Sequence, residues 1–126
     1  MSDATFRPHE RMRNPKDFRR AFERRKTASD DILIVYAASN GLPYSRLGIS
    51  VGKKKVKSAA GRNRIKRTIR EAFRLNRVSL PQGVDLVIVP RGGVVRFDRA
   101  MASLPVLARG AARRLEPRTG PGIPRP

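Results

Sequence analysis

The stretch GRNRIKRTIREAF, residues 61–73, combines an apolar stripe with a dense run of positive charge. On a helix that turns by about 100° per residue, Ile65, Ile69 and Phe73 fall on one side and the cations fall on the other. An ordinary solvated helix face carries charges of both signs, because like charges four residues apart repel each other. Here Glu71 is the only acid. We therefore expect a helix whose counter-charge is a polyanion outside the chain.

The positive charge continues on both sides of this stretch. From residue 53 to residue 77 there are four lysines ahead of the stretch and seven Lys or Arg within and after it, against one acid. Such a face can cover several phosphates, so its affinity for nucleic acid should fall steeply with salt. Arginine offers a planar fork to phosphate, and Asn63 can add directional hydrogen bonds to bases or sugars. The candidate RNA-binding residues are Lys53, Lys54, Lys55, Arg62, Asn63, Arg64, Lys66, Arg67, Arg70 and Arg74.

The composition of the whole chain supports a nucleic-acid binder. Its 126 residues hold 29 Lys and Arg against 10 Asp and Glu, a formal net charge of +19. This length suits one domain with its own core. No apolar run approaches the ~20 residues of a spanning helix, so we expect no membrane insertion. The absence of cysteine and of a signal-like apolar stretch near Met1 fits a cytoplasmic protein.

Capping, turn and periodicity signals divide the chain into the helices and strands of an α+β fold. Asn14 can cap a first helix, and Pro15 suits its first position. Turn residues separate two strand-like runs, so residues 31–51 are predicted to form a hairpin. In the last helix, Pro105 and Gly110 predict a kink or a late start. The predicted elements are a helix over 14–25, a possible short strand over 26–29, strands over 31–38 and 46–51, the basic helix, a strand over 84–90 and a helix over 97–116.

The two ends of the chain lack the periodicity of a packed element. Residues 1–13 are basic and are predicted to form a flexible arm. Residues 116–126 are rich in proline and glycine and are predicted to form a disordered tail. A single RNA-binding α+β domain is then expected over residues 14–115.

Phe18, Phe22 and Tyr36 are candidates for a second site, beside the first helix. Taken alone, the two phenylalanines also fit a role as core residues under the sheet. The first helix offers few other apolar residues, however, and Gly48 with Ser50 leaves one face of the second strand almost bare. If these faces coincide, they form a trough in which single-stranded nucleic acid can stack its bases.

The segment RNRIKRTIREAF, preceded by VGKKKVKSAAG and followed after a loop by VDLVIVP, closely resembles the protein subunits of bacterial ribonuclease P. The resemblance runs from about Arg13 to Leu115. It implies a small single-domain α+β sandwich in the order α-β-β-β-α-β-α. It further implies a four-stranded sheet packed with helices and a left-handed crossover between two parallel strands. The residues that match the central motif of the family are Arg62, Asn63, Arg64, Lys66, Arg67 and Arg70.

The resemblance also implies where RNA binds and where catalysis occurs. In this family, a cleft between the first helix and the sheet takes the 5′ leader of precursor tRNA, and the RNA subunit cleaves with Mg²⁺ that is held mainly by the RNA. The expected partners are the ribonuclease P RNA and precursor tRNA, with no membrane and no protein oligomer. The residues assigned to the cleft are Phe18, Phe22, Ile34, Tyr36 and Ser50.

The residues themselves show no catalytic centre in the polypeptide. The ten acids form no cluster that would hold two metal ions for phosphodiester cleavage, and the adjacent Asp30 and Asp31 would point to opposite faces of a strand. His9, the single histidine, lies in the expected arm. The run SVGKKK lacks the upstream glycine and the hydroxyl of a nucleotide-binding P-loop. We expect no protein-bound metal and no catalytic side chain.

Two other functions fit the basic helix. A ribosomal or architectural RNA-binding protein would need this helix but not the aromatic trough. A DNA-binding protein would be expected to add a helix-turn-helix or a dimer signal, and the sequence has neither. The favoured interpretation is the protein subunit of ribonuclease P, which assists a catalytic RNA in removing the 5′ leader from precursor tRNA.

Overall fold

The computed structural model describes residues 7–115, and its elements follow the predicted order α-β-β-β-α-β-α. Two short 3-10 turns, Pro8–Glu10 and Arg77–Ser79, precede the first helix and follow the basic helix. The helices and strands are α1 Pro15–Arg24, β1 Thr27–Ser29, β2 Leu33–Ser39, β3 Arg46–Ile49, α2 Ala59–Leu75, β4 Val84–Pro90 and α3 Phe97–Arg113. The α+β class is therefore confirmed. Residues 1–6 of the predicted arm and the predicted tail over 116–126 lie outside the described residues.

Side-chain caps explain where the first two helices begin. The Asn14 side-chain oxygen accepts a hydrogen bond of 2.9 Å from the backbone N–H of Lys16, and Pro15 occupies the first turn. At the start of α2, Ser58 Oγ accepts a hydrogen bond of 2.9 Å from the N–H of Gly61. The predicted start of α1 is confirmed.

The strand order contradicts the predicted hairpin over residues 31–51. The sheet order is β1-β2-β4-β3, so β2 does not pair with β3. Instead, β4 lies between them, antiparallel to β2 and parallel to β3. Residues 84–88 of β4 are all buried, and a strand that is buried on both faces belongs in the middle of a covered sheet. The actual hairpin joins β1 to β2, with Thr27 opposite Tyr36, and β1 is the possible short strand over 26–29.

The connection from β3 through α2 to β4 is the β-α-β unit that the resemblance implies. β3 and β4 are neighbouring parallel strands, with Gly48 beside Val87, and α2 is the element between them in the chain. Parallel neighbours need a crossover of about a dozen residues or more, which α2 provides. The left hand of this crossover stays a prediction.

The two faces of the sheet are covered to very different extents. α2 and α3 cover one face over a continuous apolar core, which we call the main core. It includes Leu33, Leu86, Ile69, Phe73 and Leu104. α1 covers the opposite face over a smaller group of buried side chains, which we call the α1 cluster. It consists of Met12, Ala21, Ala38 and Val87. The side chains of β2 alternate between these layers, as its sequence predicts.

Residues 8–12 pack against the domain, whereas the sequence predicts that they belong to a flexible arm. Glu10 and Met12 are each only 4% exposed. Glu10 accepts hydrogen bonds from Arg77 Nε at 2.9 Å and from Arg77 Nη2 at 2.6 Å. The backbone N–H of Met12 donates to the carbonyl of Leu47 at 2.9 Å. The structure thus corrects the arm prediction here, because contacts with distant residues order a segment that has no periodicity of its own.

α3 runs without a break through Pro105, so the predicted late start is not observed. Proline has no N–H to donate to the carbonyl four residues earlier, which belongs to Met101. Asn76 Nδ2 donates to that carbonyl at 3.1 Å instead. Gly110 lets α3 approach the sheet, since a Cβ there would lie 3.3 Å from the Cβ of Ala28. Both residues that interrupt the helical pattern are thus accommodated by tertiary contacts.

Candidate RNA interface

α2 buries its apolar side and presents its cationic side to solvent, as predicted. Ile65, Ile69, Ala72 and Phe73 are at most 3% exposed and belong to the main core. Like charges on the other side cost an isolated helix about 0.2–0.5 kcal/mol per pair. Burial of the apolar side offsets that cost, because each large apolar side chain contributes about 1.5–3 kcal/mol when it leaves water. The fold can therefore hold a row of cations in place.

Asn63, Arg64 and Arg67 form the most exposed part of this cationic side. Their side chains make no hydrogen bond or ion pair with any residue in the described part of the chain. Lys53 and Lys54, in the turn before α2, are also exposed. These five side chains can reach an external polyanion without breaking a contact of the folded domain.

Three other predicted RNA-binding residues have partners within the protein. Arg62 Nη1 donates to the carbonyls of Val56 at 2.9 Å and Lys57 at 3.0 Å, and so holds the approach to α2. Lys55 Nζ donates at 3.2 Å to the carbonyl of the last residue of β4. Arg74 forms an ion pair with the one acid of α2. An RNA contact by any of these side chains must share or replace an internal one.

The remaining predicted cations, Lys66 and Arg70, lie at a cavity of about 260 Å³ between α2, β3 and α1. Arg11 adds a third cation to the lining, and the other walls include the ring of Phe18 and the backbone of Gly48. None of the described residues that line the cavity is acidic. Burial lowers the pKa of Arg70 from its ordinary value, and neighbouring arginines lower it further. Such a concentration of positive charge favours a phosphate as its ligand.

The predicted cleft residues lie on α1 or on the sheet face below it, and each of them is partly exposed. They are Phe18, Phe22, Ile34, Tyr36 and Ser50. The rings of Phe22 and Tyr36 meet edge to face, with centroids 4.8 Å apart and planes at 78°. Ser50 follows β3, and its N–H donates to the carbonyl of Ile88 at 3.0 Å. The structure therefore brings these side chains to one side of the sheet.

The two phenylalanines pack as core residues and also keep ring surface on which a base can stack, the two roles that the sequence left open. Phe18 lies directly on Gly48, where an added Cβ would come within 2.7 Å of the ring. Phe18 and Phe22 also pack against the α1 cluster. Both rings nevertheless keep a solvent-accessible part. The bare strand face at Gly48 is what lets an aromatic ring sit against the backbone here.

Three residues near the cleft were not predicted from the sequence. Arg11 lines the cationic cavity, and Val89 lies opposite Ile34 and packs against the α1 cluster, as the cleft aromatics do. Asp85 is fully buried on β4, and Arg46 Nε and Nη2 hold its two oxygens at 2.8 and 2.7 Å. An acid inside the apolar strand VDLVIVP is a signal for such a buried partner. No local signal marks Arg11, because its place depends on the packing of the N-terminal segment.

The described residues do not assemble a set of metal ligands. Within residues 7–115, no group of three or more His, Asp or Glu side chains comes together. His9 instead meets Tyr44 edge to face, with ring centroids 4.7 Å apart. The donors present therefore do not fit a divalent cation held by these residues alone.

Among the helices over residues 7–115, none has the length and apolar character needed to cross a membrane.

Comparisons with known proteins point to one family. The family model for ribonuclease P matches residues 6–106. The ribonuclease P protein component of Thermotoga maritima is 42% identical over 87 residues, which cover 69% of this chain and 74% of the relative. The ribonuclease P protein component of Pseudomonas putida is 43% identical over 100 residues, which cover 78% of this chain and 73% of the relative.

Solved structures show the same fold. The RNase P protein from Thermotoga maritima has a TM-score of 0.70 at 36% identity, covering 79% of this chain and 96% of that one. The Staphylococcus aureus RNase P protein has a TM-score of 0.69 at 28% identity, covering 79% and 93%. These relatives give no support to a ribosomal or architectural protein. The chain therefore belongs to the ribonuclease P protein family, and it is the protein subunit of a ribonucleoprotein endoribonuclease that processes tRNA and whose catalysis resides in RNA.

Proposed function

We propose that this protein holds two RNA molecules at once, the RNA subunit on the cationic side of α2 and the 5′ leader of precursor tRNA in the cleft beside α1. One observation carries the proposal. The cationic cavity that Lys66 and Arg70 line from α2 is also lined by Phe18 of the cleft, so the two surfaces meet. A chain that brings two polyanions together needs positive charge at such a junction.

Binding of the RNA subunit to α2 is supported by charge and exposure. Asn63, Arg64 and Arg67 are exposed on α2, Lys53 and Lys54 are exposed in the turn before it, and the chain carries a formal net charge of +19. Cations that neutralise phosphates release counterions, and each phosphate contact adds about one unit to the slope of log affinity against log salt. The binding of RNA to this side should therefore be strong at low salt and should weaken steeply as salt is added.

Binding of the leader in the cleft is supported by the partly exposed rings. A base stacked on an aromatic side chain contributes about 1–3 kcal/mol, and stacking tolerates any base because every base has a π-face. A nucleotide whose base reaches Phe18 would place a phosphate near Arg11, Lys66 and Arg70, which line the same cavity. Stacking and charge would then act on a single strand without reading its sequence.

In this proposal, Mg²⁺ is held mainly by the RNA, and cleavage takes place there. The protein lowers the electrostatic cost of bringing substrate and RNA subunit together, so its effect should be greatest when Mg²⁺ is scarce. The protein acts in the cytoplasm as one copy in each complex. None of its side chains takes part in the chemical step.

A cleavage assay at low Mg²⁺ tests the proposal as a whole. A bacterial ribonuclease P RNA and a precursor tRNA are incubated with and without the protein. We expect leader removal only when the protein is added, and no cleavage by the protein alone. The proposal is overturned if the protein binds this RNA no better than an unrelated structured RNA and restores no cleavage.

A matched pair of variants tests the cleft. Phe18→Ala should weaken the binding of leader-bearing precursor to the assembled enzyme by about tenfold, while affinity for mature tRNA is unchanged. Phe97→Ala, which removes a partly exposed ring at the start of α3, should change neither affinity. Equal losses for precursor and mature tRNA in Phe18→Ala would show that this ring acts only as a core residue.

A further inference from the structure

Beside the cleft lies a group of two carboxylates and two arginines that the proposed function does not use. Asp85 is fully buried, and Arg46 of β3 holds both of its oxygens. Arg46 Nη2 also donates to Asp17 Oδ2 of α1 at 3.2 Å. Arg20 Nη2 donates to Asp17 Oδ1 at 3.0 Å and lies 3.7 Å from Asp85 Oδ2. These four residues, which we call the α1 ion network, join α1 to β3 and β4.

Apolar packing is less extensive on this side of the sheet than in the main core. Two of the four buried members of the α1 cluster are alanines, Ala21 and Ala38. Small side chains have few atoms in contact, and dispersion has no preferred direction. A charged hydrogen bond, in contrast, has a preferred distance and angle, and the bond from Arg46 Nη2 to Asp17 Oδ2 joins β3 to α1. The bidentate bond between Arg46 and Asp85 lies within the sheet and orients Arg46 for that contact. Buried ion pairs often add little net stability, so the contribution expected of Arg46 and Asp85 is geometric.

The ion network and the cleft use neighbouring contacts between the same two elements. Asp17 directly precedes Phe18 on α1, while Arg46 and Gly48 share one face of β3. The contact between Asp17 and Arg46 therefore lies next to the contact between Phe18 and Gly48. A shift of α1 that broke the first contact would lift the ring of Phe18 from the strand.

We propose that the α1 ion network is a positioning device, which holds Phe18 at the height above the sheet where a single RNA strand can stack on its ring. Asp17 and Arg46 act through the ring of Phe18 and do not touch RNA themselves. This inference rests on the proposed function, because it assumes that the leader binds in the cleft. It adds that leader affinity depends on residues outside the binding surface.

Asp17→Asn is the variant that tests this role. It keeps the size of the side chain, and it leaves the bond between Arg46 and Asp85 in place, so the fold should be retained. We expect leader-bearing precursor to bind the assembled enzyme about fivefold more weakly, with unchanged affinity for mature tRNA. Asp17→Glu, which restores the carboxylate, should recover part of the loss. Asp98→Asn removes an acid from the first turn of α3, away from the cleft, and controls for the gain in net charge.

A double-mutant cycle separates positioning from independent effects. If Asp17 acts through the ring of Phe18, adding Asp17→Asn to Phe18→Ala should cause no further loss of leader affinity. A full additional loss, or wild-type leader affinity in Asp17→Asn alone, overturns the positioning role. An equal loss for mature tRNA in Asp17→Asn also overturns it, since it shows a general structural effect. In each case, a leader-specific loss in Phe18→Ala alone would leave the proposed function standing.

Discussion

The two faces of the sheet form a closed surface and an open one. On β2, Leu33, Val35 and Ala37 point into the main core and are completely buried, whereas Ile34 and Tyr36 point to the other face and stay partly exposed. The same strand thus contributes to stability with one set of side chains and to the cleft with the other. Alternation along a strand allows this division without any change in the backbone.

The lengths of the helices explain the difference. α2 and α3 have 17 residues each, whereas α1 has 10. At about 1.5 Å per residue, α1 is too short to cover the sheet as the longer pair does. Ile34 and Val89, which lie opposite each other on β2 and β4, therefore stay partly exposed at its edge. A sheet face that is left partly open in this way offers both rings and backbone to a ligand.

The largest expected effect comes from removing one aromatic ring from each face of the sheet, Phe73 from the closed face and Phe18 from the open face. Phe73→Ala should lower the free energy of unfolding by about 3–5 kcal/mol, because it leaves a cavity in the main core. Phe18→Ala should cost clearly less, since that ring is already partly exposed. Urea denaturation of both variants gives the two values. Equal losses would show that the α1 side is as closed as the other.

The ion pair between Glu10 and Arg77 predicts a dependence of stability on pH. Burial acts to raise the pKa of Glu10, but hydrogen bonds from Arg77 and the backbone of Arg7 outweigh it and lower the pKa below its ordinary value of 4.5. The pair therefore stabilises the folded state above that pH, and its contribution is lost as the pH falls through the lowered value.

Glu10→Gln should accordingly destabilise the protein by about 2 kcal/mol at neutral pH. The difference from the wild type should shrink in unfolding measurements made below pH 4.5. A difference that stays constant as the pH falls would mean that the charge of Glu10 does not hold the N-terminal segment to the domain.

On the closed face, the hydrogen bond from Asn76 Nδ2 to the carbonyl of Met101 can be tested by mutation. Asn76→Ala should cost about 1–2 kcal/mol, because the carbonyl of Met101 loses its donor. Pro105→Ala supplies a backbone N–H for the same carbonyl, so Asn76→Ala should cost less in that background. The free energy of unfolding, measured by heat or urea for the wild type, the two single variants and the double variant, completes this double-mutant cycle. Equal costs in both backgrounds would contradict this account of Pro105.

The smallest expected effect concerns the cationic side of α2. Arg64→Ala should leave stability unchanged, because its side chain is exposed and unpaired within the described residues. It should reduce the steepness of the slope of log affinity against log salt, for binding to the RNA subunit, by about one unit per lost phosphate contact. Arg113→Ala removes an exposed arginine at the end of α3 and should leave the slope unchanged. The same slope for Arg64→Ala and the wild type would remove Arg64 from the interface.

Local signals predicted the helices and the alternation of β2. Asn14 and Pro15 marked the start of α1, and the apolar stripe of α2 is the side that is buried. Local signals did not reveal the packing of Glu10 and Met12 or the continuity of α3 through Pro105. Those features depend on partners far along the chain, which no short-range pattern contains.

The sequence alone determined the types of the elements and the cationic side of α2. Through its resemblance to a family it also predicted the cleft residues. Only the tertiary structure decided the strand order, in which β4 separates β2 from β3. It also decided that Arg11 and Arg70 reach the cavity beside Phe18. The physical reason is that periodicity indicates only which side of an element is apolar. Which strands become neighbours depends on which arrangement buries the most apolar surface of the whole chain.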